Sequence, residues 1–142
     1  MIQLTQGPID AAKALAEVQS PRCGAVVLFL GTTRQWTGDK ETAKLSYECY
    51  EEMAYQELAR LEAEARAKWP IEHCVLIHRL GVTPIAEASV LVAVSSPHRN
   101  DAFEAGRFLI DALKERVPIW KQEHWAEGGS DWVHPGVAPS AD

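Results

Sequence analysis

The chain is poor in basic residues relative to acidic ones. Fourteen Lys and Arg stand against 20 Asp and Glu, a formal charge of −6, with a pI near 5.4. A protein that holds nucleic acid or an anionic membrane over a broad face needs the opposite sign, so neither partner is expected and any anion site must be a local pocket. Long apolar runs are lacking as well. None reaches the ~20 residues of a membrane span, and the amino terminus MIQLTQGPIDAA has no basic region followed by an apolar core. A soluble, cytoplasmic protein is expected. Cysteine is scarce: Cys23, Cys49 and Cys74 cannot all pair within one chain and lie too far apart for a CxxC metal knuckle. All three are expected to be reduced structural thiols.

Familiar catalytic spacings are missing too. His73, His78, His124 and His134 make no HxxxH or HExxH pattern, and no GxxxxGK[ST], GxGxxG or GxSxG occurs. No metal site is therefore expected. Ser95 or Ser96 served by His98 makes a poor nucleophile pair, because near neighbours in an extended segment point apart.

What is present is a regular alternation of elements within 142 residues, the size of one domain. Residues 1–134 are expected to form it, with 135–142 a flexible tail rich in Pro and small residues. Ile9, Ala12, Leu15 and Val18 predict an opening helix from Pro8 to Val18. GAVVLFLG (24–31) predicts a central strand, and KLSYECY a second one, joined by a polar loop that carries Arg34 and a Gly38-Asp39 turn. Ala54, Leu58, Leu61, Ala65 and Trp69 put one apolar stripe on a helix that Pro70 stops, leaving Glu51, Glu52, Glu57, Glu62 and Glu64 on a solvated face. HCVLIHRLG and ASVLVAVSS predict adjacent antiparallel strands joined by a short link. Asn100 or Asp101 is expected to cap the next helix, with Phe103, Gly106, Ile110, Leu113 and Val117 as its buried stripe and Pro118 as its stop. EHW and DWV flank the AEGGS turn of a closing hairpin. The fold class expected is α+β, with helices on one face of a mainly antiparallel sheet.

Five cationic side chains fall at the ends of these elements: Arg34, His98, Arg99, Lys114 and Lys121. A guanidinium at a strand exit suits phosphate or carboxylate. His98 and Arg99 precede a helix, whose N–H groups favour anions. Lys114, on its own, reads as a lysine laying its stem over the core edge. Lys121 follows seven residues later, past Pro118, with Trp120 and Trp125 placed to restrict water. Ammonium groups brought together out of water give up protons more readily, which suits proton transfer, amine chemistry or clamping of a developing negative charge.

Taken together, GAVVLFLGTTR, the helix ending at KWP, VLIHRLG, SSPHRNDAFEAGRFLIDALKERVPIWKQE and DWV resemble the large, catalytic subunits of molybdopterin synthase. The likeness runs over about 110 residues in the correct order, through the signature HR…AFEA…LK…P.WK.E. It implies an α/β hammerhead with an added antiparallel β subdomain, and a sulfurtransferase that needs no cofactor and no catalytic cysteine. The implied reaction moves sulfur from the thiocarboxylate on the Gly-Gly tail of a small ubiquitin-like carrier subunit. The acceptor is cyclic pyranopterin monophosphate, the pterin phosphate substrate, and the product is the dithiolene of molybdopterin in molybdenum cofactor biosynthesis. The implied assembly is a homodimer of large subunits within a heterotetramer. By position, Lys114 and Lys121 match the family's essential lysines. Arg34, His98 and Arg99 match its anion-binding residues, and Thr32, Thr33, Gln122 and Glu123 fall in its substrate-contacting segments. Thr32 stands where lysine is common, Gln122 where arginine is common, and only His134 follows Trp132 where many relatives carry basic residues. Two other readings compete: a non-catalytic module that captures the tail of a β-grasp protein, and a phosphate-ester hydrolase, the latter lacking a metal cluster or an evident nucleophile.

Overall fold

In the computed structural model, which describes residues 1–133, the core is built around two buried strands. β5 (Cys74–Arg79) and β7 (Ala88–Ser96) pair antiparallel, with Leu76 opposite Val92. β1 (Ile2–Thr5) joins β5 in parallel and β2 (Ala25–Thr32) joins β7 antiparallel, giving a four-stranded sheet in the order β1-β5-β7-β2. β2 is thus an outer strand of this sheet, and its expected central position is corrected. Its apolar residues serve both layers, Val27 packing toward one cluster and Val26 and Leu28 toward the other, while Phe29 and Leu30 stay exposed.

Helices lie on both sides, where the sequence predicts one. α2 (Glu51–Lys68) and α3 (Arg99–Arg116) close over Leu76, Val92 and Val94. α1 (Ala11–Val18) buries Ala14 and Val18 against Val75, Ile77, Leu91 and Ala93. Alternation along the strands explains the two-sided demand, since successive side chains of an all-apolar strand leave opposite faces. Each fully buried leucine, Leu58, Leu61 and Leu109 among them, contributes roughly 1.5–3 kcal/mol relative to exposure.

Three helix details differ from expectation. α1 begins at Ala11, after Asp10, whose carboxylate accepts the Lys13 N–H at 3.0 Å; Pro8 and Ile9 precede it. α3 begins at Arg99 with His98 at its N-cap and no side-chain cap, so neither Asn100 nor Asp101 caps it. Its buried stripe is Ala102, Ala105, Gly106, Leu109, Ala112 and Leu113, while Phe103 is 65% exposed. Small residues face the sheet because the approach is close: a Cβ on Gly106 would lie 3.2 Å from Val27 Cγ1. Arg116 ties the end of α3 to α2 through Glu57 and Glu64 at 2.8 and 2.7 Å.

A second, antiparallel sheet forms the added β subdomain, in the order β3-β4-β8-β9 with β6 also on β4. It comprises β3 (Trp36–Thr37), β4 (Lys40–Cys49), β6 (Gly81–Pro84), β8 (Ile119–Trp125) and β9 (Ser130–Val133). β8 and β9 form the expected hairpin. The link between β5 and β7 proves to hold β6, and the chain opens with β1 rather than with a helix. His134 and the segment expected to be a tail lie outside the described residues.

Candidate active site

Lys121 sits in the middle of β8, directly opposite Tyr47 of β4. Opposed residues in an antiparallel ladder share a face, and here it is the inward one: Tyr47, Ile119 and Glu123 are all buried on it. Trp120 and Gln122, one residue to either side, therefore face outward. Trp120 meets Tyr50 edge-on at 5.2 Å and, with Glu48, Tyr50 and Trp132, lines a separate hollow of about 290 Å³. Trp125 donates its indole N–H to Asp131 at 2.8 Å and carries Lys40 over its ring at 4.6 Å. Trp125 lies on the Lys121 face of β8, two residues beyond Glu123, and the aromatic ring directly across from Lys121 is Tyr47.

Tyr47 leads to a residue that sequence reasoning passed over. Its ring contacts His78 at 4.9 Å, nearly edge to face. His78 is buried on β5, and its Nδ1 lies 2.8 Å from the Arg79 carbonyl. A carbonyl only accepts, so Nδ1 carries the proton and Nε2 is left as an acceptor. Burial lowers the pKa of His78 to about 4, against the opposing pull of the Arg79 carbonyl, and the Lys114 ammonium adds a further downward push. Lys114, in the last turn of α3, thus acts electrostatically on the imidazole that touches Tyr47, which faces Lys121. His78 is thus the residue that feels Lys114 and touches the ring that Lys121 faces. The signal was legible in VLIHRLG, where a histidine inside an otherwise apolar strand run has to be buried; weighing His78 only for metal-ligand spacing hid it.

Glu123 is held inside by two hydroxyls, Thr37 Oγ1 at 2.8 Å and Thr42 Oγ1 at 3.0 Å, both donating to its Oε1. Gln122 lies on the other face and donates to Ser130 Oγ at 2.8 Å, so the two residues do not line one surface. Thr32 ends β2 at the register shift after Gly31 and is exposed. Thr33 is buried, its hydroxyl without a partner among the described residues. Arg34 follows at once, where the chain leaves the sheet.

The five cations do not form one cluster within a chain. β2 and β5 end, and β7 begins, at the same edge of the sheet, since Gly31 and His78 both pair with Val90. That edge carries Arg34, His78 and Lys114. His98 and Arg99 are at the other end of α3, exposed; at 1.5 Å per residue Arg99 lies about 22 Å from Lys114 along the helix axis.

Cys49 and Cys74 are kept from ionising. Burial, with Glu51 adding, raises Cys49 to about 11, and burial raises Cys74 to about 12. Neither is a thiolate at neutral pH, which is the form a nucleophile requires.

Comparison with known proteins fits this layout. A model of the MoaE protein family matches residues 4–116. The molybdopterin synthase catalytic subunit of Bacillus subtilis (strain 168) is 44% identical over 131 residues, 92% of this chain and 83% of its own length. The molybdopterin synthase structure from Staphylococcus aureus superposes with a TM-score of 0.87 at 41% identity, covering 92% of this chain and 94% of that one. A Helicobacter pylori complex of subunits 1 and 2 of molybdopterin-converting factor shares the fold, with a TM-score of 0.76 at 23% identity over 94% of this chain and 88% of that one. On the family match and on identity along nearly its whole length, the chain belongs to the MoaE family, the catalytic subunits of molybdopterin synthase.

Proposed function

We propose that the chain is the sulfurtransferase half of its synthase. It takes sulfur from the carboxyl-terminal thiocarboxylate of a small ubiquitin-like carrier and places it on cyclic pyranopterin monophosphate, yielding the dithiolene of molybdopterin. The observation that carries this reading is the Lys121–Tyr47–His78–Lys114 arrangement at the sheet edge that also bears Arg34. A thiocarboxylate is an anion, and so is a phosphorylated pterin, so a pocket that gathers both needs several cations in one place. Each delivery breaks the carrier's carbon–sulfur bond and forms one carbon–sulfur bond on the pterin side chain in place of a carbon–oxygen bond, the displaced oxygen leaving the carbon that takes the sulfur. It ends with a water-derived oxygen replacing sulfur on the carrier's terminal carbonyl carbon, so the carrier leaves as a carboxylate. In this scheme Lys114 meets the incoming tail, while Lys121 stabilises negative charge or moves a proton as the bond forms. Because the sulfur arrives on the partner, protonated Cys49 and Cys74 are no obstacle.

The remote position of His98 and Arg99 is accounted for by a homodimer of large subunits within a heterotetramer. In it, the anion-binding pair at the start of α3 in one subunit joins the lysines and Arg34 of the other. Thr32 and Thr33 flank Arg34 at that composite pocket, and Glu123 shares the Lys121 face of β8, whereas Gln122 points to the opposite face and lies outside the pocket. The compartment is the cytoplasm; no helix among the described residues is long and apolar enough to cross a membrane. The direct test mixes the chain with a thiocarboxylated carrier and cyclic pyranopterin monophosphate and assays dithiolene. Folded, carrier-bound protein that yields none would leave only the tail-binding module.

A further inference from the structure

Arg34 takes its direction from Thr33, and Thr33 is bridged to the turn between β6 and β7. Its N–H donates to the Glu87 carbonyl at 3.0 Å, and its own carbonyl accepts the Ala86 N–H at 2.9 Å. These two bonds take over where the β2–β7 ladder shifts register after Gly31. The turn is closed by the Glu87 N–H donating to the Pro84 carbonyl at 3.2 Å, and it holds Ala86 at φ +70°, a left-handed conformation that an alanine adopts only under constraint. The turn is also tied to β5, through the Glu87 side chain. Arg79, whose side chain is only 10% exposed, donates from Nη1 to Glu87 Oε1 at 2.8 Å. Its Nε has no hydrogen-bond partner among the described residues, so the Glu87 carboxylate is needed to offset a guanidinium taken out of water.

We propose that Arg79 and Glu87 form a strap that positions Arg34 for the phosphate-bearing substrate. Arg79 fixes the Glu87 side chain, the Glu87 and Ala86 backbone fixes Thr33, and Thr33 sets the angle at which Arg34 leaves the sheet. Both are positioning residues and neither touches substrate. Two-pronged recognition of an anion by a guanidinium is sensitive to orientation, so slack in the strap is felt as lost affinity. The same strand carries His78 on its other face, so adjacent residues of β5 brace the anion-binding side and the lysine side of the site. The inference rests on the assignment of Arg34 to substrate binding.

The test compares Glu87→Ala, Glu87→Gln and Arg34→Ala in the full chain with its carrier subunit, with melting temperatures measured alongside. In Glu87→Ala the KM for cyclic pyranopterin monophosphate is expected to rise roughly tenfold while kcat stays within about twofold, and amide exchange at Thr33 is expected to quicken. Glu87→Gln keeps an acceptor oxygen for Arg79 and should recover most of the affinity. An unchanged KM in Glu87→Ala beside a raised KM in Arg34→Ala would overturn the strap, as would a fall in kcat that merely tracks the fraction unfolded. An unchanged KM in Arg34→Ala would instead overturn the anion-site assignment, and the strap's role with it.

Discussion

At neutral pH the His78 imidazole is uncharged, and this links stability to acidity. Its folded pKa of about 4 lies below the ordinary 6.5, so the unfolded chain takes up the proton first. The contribution is complete above about pH 6.5 and is lost as pH falls toward 4, amounting to about 3 kcal/mol across the window. Denaturant midpoints followed from pH 7 to pH 4 should fall steeply in the native chain and more gently in His78→Gln; equal slopes would mean that another group dominates. Lys121 is the second residue whose surroundings decide its role. Replacing it with alanine leaves the inward face of β8 without its cation and should lower turnover by roughly 10³-fold, with carrier binding, measured separately, largely kept. Normal turnover in that variant would remove Lys121 from the mechanism.

At the scale of elements, close approach rather than hydrophobicity sets several positions. A Cβ on Gly31 would fall 2.6 Å from Val90 Cγ1, inside the core and one residue before the register shift that releases Thr32. Gly31→Ala is therefore expected to cost about 1–3 kcal/mol in chemical denaturation; an unchanged midpoint would show that Val90 yields without strain. The same effect explains what the sequence left hidden. Phe103, Gly106 and Ile110 share a helical face with Leu113 and Val117, but the sheet accepts Ala102, Ala105 and Gly106 because only small side chains let α3 approach Val27. GVTP looked like a link because it begins with Gly and ends with Pro, yet those residues flank Val82 and Thr83, which pair with Ser46 and Leu45. IQLT is too short to show a period and becomes a strand only by pairing with β5. The long periodic segments, α2 with Leu58 and Leu61 and the β5–β7 pair, were legible because burial on a fixed face fixes their spacing. Arg34, His98, Arg99 and Lys114 were legible as element ends, whereas Lys121, expected at an end, lies inside β8; the division of the cations between two ends of the molecule was not legible, since it depends on how α3 folds back over the sheet.

For the whole molecule, that division makes an assembly-level prediction. If each site takes lysines from one subunit and the His98-Arg99 pair from its dimer partner, then Lys121→Ala and Arg99→Ala chains, each impaired alone, should complement when refolded together. Random pairing puts one intact site in each mixed dimer, or roughly a quarter of all sites. Recovery of about that fraction of native dithiolene formation is expected, and no recovery beyond the two variants' own would place both residues in a single-chain site. α3 then acquires a meaning beyond packing. It fixes the angular phase of Lys114 relative to the dipeptide at its start, because each helical residue turns the chain by about 100°. One residue inserted after Gly106 would swing Lys114 away from His78 while lengthening the helix by only about 1.5 Å, so the enzyme should tolerate side-chain changes along the exposed face of α3 far better than any change in its length.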